Sequence, residues 1–209
     1  MKVCLFSLPI ICLGMGCVAS YNIGINGYSS TGQTLQIPDA SSIAVVTDSN
    51  APNPILEKEV GMKIEKLLIQ KGYSIGTDKA NYYLLFDYGI DSGRTVTDFI
   101  PIYHPSAYSE YRFWRVHMNG YTTYVPYSAV IYTRWLTLRL IDGKAYGISQ
   151  KAEPLWIGEV ASAGASPDLR EIINYMLVAA FEHFGEDTGR QVTEFISRRD
   201  ERVRLLMER

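Results

Sequence analysis

The run from Val130 to Ile141 constrains the fold most. Tyr132, Leu136, Leu138 and Leu140 alternate with Thr133, Trp135, Thr137 and Arg139, so one side of an extended chain is apolar and the other mixed. Such a strand needs hydrogen-bonding neighbours at its edges and a layer to cover its leucine side. The stretch 169–184 offers that cover. Leu169, Ile172, Ile173, Met176, Leu177, Ala180, Phe181 and Phe184 recur at helical spacing and form a wide apolar stripe. Ser166-Pro167-Asp168 before it supplies an N-cap, a first-turn proline and an acid over the positive helix end, and Gly185 ends it.

The neighbouring segments complete the layer pattern. Ser42 to Asp48, SIAVVTD, reads as a buried strand. Asn53 and Pro54 then open a helix whose stripe is Leu56, Val60, Ile64, Leu67 and Leu68, with Glu59 and Lys63 paired on its wet side and Gly72 closing it. Tyr82 to Ile90 is the next strand, giving a β-α-β unit. Asp142-Gly143-Lys144 starts a turn, and 155–163, LWIGEVASA, returns beside 130–141. A third helix is expected from Thr188 to Met207. The order predicts an α/β (α+β) fold: a two-layer sandwich with a mixed, mostly antiparallel sheet and helices on one face.

Two segments are less regular. Residues 18–40 hold repeated Gly, Ser, Thr and Asn and read as a flexible tether. Residues 91–130 are crowded with Tyr, Phe, Trp, Pro and Gly, and read either as a long loop or as an aromatic hairpin. The expected domains are a signal segment over 1–16, a tether over 17–40, an α/β domain over 41–190 and a C-terminal helix over 191–209.

The N-terminus supplies the location. Lys2 precedes an apolar run, Val3 to Leu13, far short of the ~20 residues that span a bilayer, so it reads as an export signal. Gly14-Met15-Gly16-Cys17 follows. Gly16-Cys17 resembles the bacterial lipobox. That resemblance implies cleavage after Gly16, acylation of Cys17 and a bilayer partner, and Val18 leans toward the outer membrane. Read by residues alone, Cys17-Val18-Ala19 also offers an ordinary small-x-small cleavage site after Ala19. The other cysteines, Cys4 and Cys12, leave with the signal in either case, so no disulfide is available to the mature chain.

The chain resembles small bacterial envelope lipoproteins whose folded part is known only as a domain of unknown function. Gly16-Cys17, SIAVVTD, NYYLLFDYGID, LWIGEVASAG and DLREIINYMLVAAFEHFGEDTG carry the resemblance, over about residues 42–190. It implies an envelope-facing α/β domain and assigns no catalytic residue.

Chemistry-bearing motifs are sparse. His104, His117 and His183 have no metal-ligand spacing, and neither a G-x-S-x-G elbow nor a phosphate-binding G-x-x-x-x-G-K-[ST] loop occurs. Asp87, Asp91 and Glu110 read as solvated acids. A formal net charge of −2 argues against a nucleic-acid surface. Aromatics stand out: Tyr occurs 15 times. The candidate binding residues are Tyr108, Tyr111, Arg112, Phe113, Trp114, Arg115, Tyr121 and Tyr124. They suit glycan stacking, a protein hot spot or a membrane interface, and equally the cover of a sheet face. The expectation is a non-enzymatic anchored module, without cofactor, binding an envelope protein or glycan. The alternatives are an envelope-polymer-processing enzyme and a structural subunit of an envelope complex.

Overall fold

The computed structural model describes residues 20–77, 79–104, 120–150 and 152–208. Its sheet contains eight strands: β1 (Ser20–Ser29), β2 (Ser42–Val46), β3 (Ser74–Ile75), β4 (Tyr82–Ile90), β5 (Arg94–His104), β6 (Tyr121–Asp142), β7 (Trp156–Gly164) and β8 (Val192–Ser197). The described residues also form four helices: α1 (Pro54–Gln70), α2 (Gly143–Ile148) and α3 (Leu169–Glu182) between strands, and α4 (Glu201–Met207) after the last one. The strand order is β3-β2-β4-β6-β7-β1-β8, and β5 pairs with β6 outside that path. Among the described residues only the β2–β3 and β2–β4 pairs are parallel. The fold is the expected mixed, mostly antiparallel α+β sandwich.

The leucine side of β6 faces the helix layer. Leu136, Leu138 and Leu140 are fully buried there against α3, whose stretch from Ile172 to Phe181 is buried all round. A helix that is apolar on nearly every side needs cover on nearly every side. The sheet lies beneath α3, and α1 and α4 flank it. Its N-cap is Asp168, whose carboxylate accepts from the Glu171 amide, rather than the expected Ser166. Asn53 caps α1 as expected, and Gly72 follows the cap in the left-handed region at φ 90°. Lys63, expected on the wet side, is buried. Its Nζ lies 2.7 Å from Glu59, which Arg170 of α3 also grips at 2.7 Å.

Two expectations are corrected. Residues 20–29 are not part of a tether but form β1, paired with β7 on one side and β8 on the other. Ile23 and Ile25 of β1 belong to the core. The glycines that suggested flexibility serve packing. A Cβ on Gly27 would stand 2.2 Å from the Glu186 carbonyl oxygen, so only glycine lets that backbone approach. Residues 188–207 are not one helix. Val192–Ser197 is strand β8, Ile196 turns into the core, and only Glu201–Met207 is helical. The domain therefore reaches from Ser20 to α4. A short helix, α2, stands where a plain turn was expected, capped by Asp142.

Candidate functional site

In the segment read as loop or hairpin, the described residues form two paired antiparallel strands, as the hairpin reading expects. Strand β6 is 22 residues long, and only its C-terminal half lies in the sheet between β4 and β7. Its N-terminal half pairs with β5, from Arg94↔Ile131 to His104↔Tyr121. β4 and β5 are thus successive partners of the same strand. Between the Ile90↔Arg134 and Arg94↔Ile131 pairs, three residues on one side oppose two on the other, which is a β-bulge. Asp91 fastens it. Its Oδ1 accepts from the amides of Gly93 and Thr133, both at 2.9 Å, and Gly93 takes φ 78°. The Thr133 amide foremost, with that of Gly93, holds the Asp91 carboxyl below the usual carboxylate range.

Beyond the bulge a two-stranded ribbon projects from the sheet. Eleven residues in β5 reach about 36 Å at ~3.3 Å per residue. From Arg94 to Tyr103 and from Tyr121 to Ser128 every residue is exposed, so both faces meet solvent. Directly opposed residues in an antiparallel pair share a face. One face holds Val96, Ile100, Ile102, Tyr121, Val125 and Tyr127; the other holds Phe99, Pro101, Tyr103, Tyr124 and Pro126. The aromatic–proline face displays rings of high exposure: Phe99 at 59%, Tyr103 at 66% and Tyr124 at 67%. On the aliphatic face, Tyr121 stacks on His104 with centroids 4.6 Å apart, and the His104 Nε2 meets Thr123 Oγ1 at 2.9 Å.

The two sequence candidates within the described residues, Tyr121 and Tyr124, therefore sit on opposite faces of one ribbon. Tyr108, Tyr111, Arg112, Phe113, Trp114 and Arg115 lie outside the described residues, as do Gly16 and Cys17. Phe99, Tyr103, Pro101 and Pro126 were missed as a cluster. With apolar residues on both faces, the sequence shows no period-two contrast to reveal which side chains stand together.

The base of the ribbon is held by a buried cation. Arg134, 1% exposed, donates through Nη2 to the carbonyls of Gly164 at 3.0 Å and Ser166 at 2.5 Å, just before α3. Its Nε and Nη1 have no partner among the described residues. Nearby, the Tyr21 hydroxyl donates to Glu171 at 3.1 Å and accepts from Arg198 at 3.0 Å, which pins the start of β1 to α3. Burial raises the Tyr21 pKa.

Away from the ribbon, an open groove of about 1020 Å³ lies between α1, α3 and the end of α4. Its acids already have partners: Glu59 is held by Lys63 and Arg170, Asp168 caps α3, and Glu171 accepts from Tyr21. Asp87, on the open side of the sheet, pairs with Arg139. Among the described residues no group of three His, Cys, Asp or Glu is placed to hold a metal, and no helix is long and apolar enough to cross a membrane.

Comparison with known proteins gives a family. No curated protein matches the chain at a significant level. Among solved structures, a PDZ domain protein from Parabacteroides distasonis is similar at a TM-score of 0.46 and 16% identity, over 84% of this chain and 39% of that protein. The chain thus spans well under half the length of that structure. A PelC dodecamer from Paraburkholderia phytofirmans is similar at a TM-score of 0.41 and 10% identity, over 78% of this chain and 98% of that one. A sequence family described as a domain of unknown function (DUF4136) matches residues 21–184, from β1 through the end of α3, and the chain belongs to it.

Proposed function

We propose that this chain is a non-enzymatic module of the bacterial envelope, lipid-anchored at Cys17 and facing the periplasm, that holds an envelope protein or glycan on the aromatic–proline face of its ribbon. The observation that carries this reading is the clustering of Phe99, Tyr103 and Tyr124, all more than half exposed, on one side of a projecting element. Tyrosine and phenylalanine rings bury large areas at small entropic cost, which suits them to protein hot spots and to sugar stacking. Val18 favours the outer membrane as the site of attachment.

The test is crosslinked capture from envelopes with the wild-type chain and with Tyr103→Ser/Tyr124→Ser. The expected result is one or more partners present with the wild type and missing with the variant. An identical partner set in both captures refutes the surface. Mass spectrometry of the purified N-terminus checks the anchor independently, since the proposal requires a diacylglyceryl group on Cys17.

A further inference from the structure

We propose that the opposite, aliphatic face of the ribbon docks on a phospholipid surface. Position, chemistry and edge geometry support this occupant.

Ile23 of β1 lies level with Ser162 of β7, which lies level with Arg134 of β6. β1 therefore runs parallel to β6, and Ser20 stands level with Ile131, where the ribbon leaves the sheet. Two strand spacings separate them laterally, about 10 Å. Cys17 is three residues before Ser20, so at most ~10 Å of chain divides an acyl anchor there from the root of the ribbon. A bilayer held at Cys17 comes within reach of the ribbon. This step rests on the anchored reading above.

The chemistry fits a lipid–water boundary. From Thr95 to His104 and from Gly120 to Ile131 the sequence carries one carboxylate, Asp98, and neither lysine nor arginine. On the face concerned, Ile100, Ile102 and Val125 form a central aliphatic patch. The Tyr121–His104 pair flanks it toward the tip and the Tyr127–Asp98 pair toward the root. Amphipathic rings on either side of an aliphatic patch match the headgroup level of a bilayer. A ribbon lying flat sinks that patch and leaves its outward backbone groups to water and headgroups, avoiding the cost of unpaired groups in hydrocarbon.

The edges disfavour a competing occupant. The Phe99 amide bonds to the Asp98 carboxylate, so it points away from β6. By alternation Pro101 also occupies an outward-facing position, and Pro126, opposite Phe99, does so on the other strand. Each edge thus lacks a donor midway, which impedes strand addition by a second copy or a peptide. A bare two-stranded ribbon is marginal in water, and a surface that covers one face relieves that.

The experiment uses the chain from Ser20 to Arg209, which contains every strand and helix described and has neither signal nor anchor. It is floated with vesicles of phosphatidylcholine, with and without phosphatidylglycerol. The wild type is expected to float with both, undiminished at about 0.5 M NaCl, because the driving force is apolar. Ile100→Ser/Ile102→Ser/Val125→Ser is expected to cut partitioning about tenfold or more with an unchanged melting temperature, since these side chains lie outside the core. Thr97→Ala/Ser128→Ala, on the other face, is expected to float as the wild type does. Failure of the wild type to float overturns the inference, as does equal flotation of the triple variant. So does a concentration-dependent dimer in sedimentation velocity that the triple variant abolishes, because it assigns the face to a second copy. An unmodified Cys17 in envelope-purified protein retires the anchor alone and leaves the flotation result to stand or fall separately.

Discussion

Ile23→Ala separates a sheet strand from a tether in a single measurement. In β1, Ile23 is 0% exposed and faces the helix layer between the neighbouring strands β7 and β8. The substitution removes three carbons, worth about 2.4 kcal/mol at ~0.8 kcal/mol each. A partly collapsed cavity adds to this, within the usual range of about 2–5 kcal/mol for such changes. We expect about 3 kcal/mol, which for a chain of 209 residues lowers the melting temperature by roughly 6–12 °C. Urea unfolding of the chain from Ser20 is the assay. The midpoint should fall while the slope stays constant, as for a change in stability without a change in the surface exposed. Asn22→Ala is the matched control: its side chain points to the exposed side of the same strand, and it should stay within about 0.5 kcal/mol. An Ile23→Ala loss no larger than the control's would refute the placement of β1 in the core.

Two further outcomes follow from the same region of the fold. Gly27→Ala should cost about 1–3 kcal/mol, because its Cβ meets the backbone oxygen of Glu186, whereas Gly24→Ala should be near neutral, because its Cβ meets only the movable end of Gln191. Equal losses in thermal unfolding would contradict the distinction. His183 caps the C-terminus of α3, with Nδ1 2.7 Å from Glu186 and Nε2 3.0 Å from Glu194. Burial lowers its pKa, but the hydrogen bonds its ring donates to the Glu194 and Glu186 carboxylates outweigh that and raise it above the ordinary value. A raised folded-state pKa stabilises fully below about pH 6.5 and loses that contribution as pH climbs through the folded-state value. His183→Gln should therefore cost more stability at pH 5.5 than at pH 9, by about 1 kcal/mol or less given the partly exposed carboxylates. A cost independent of pH in chemical denaturation would remove the ion pairs from the account.

Most elements legible in the sequence have contrast between their two sides. β6 within the sheet and α1 show it because one side meets the core and the other does not, whereas α3 shows as an apolar repeat at helical spacing and is buried nearly all round. Their caps followed local rules, with Asn53 as expected and Asp168 displaced from the expected residue by two positions. β1 was obscured because Gly27 meets the 186–188 loop, over 150 residues away, and no local window contains that neighbour. β8 was obscured because Val192, Phe195, Ile196 and Val203 fit a helical stripe as well as a strand followed by a short helix.

Local residue chemistry by itself determined the class of fold, the β-α-β unit, the helix that covers the sheet and the concentration of aromatics in the middle of the chain. It did so through periodicities and caps that act within a few residues. Tertiary structure alone decided that the chain's first described residues form a strand between β7 and β8 and that β5 and the N-terminal half of β6 leave the sheet as a ribbon with two unlike faces. Those outcomes depend on strand register between distant segments, and register is set by which surfaces can be buried together.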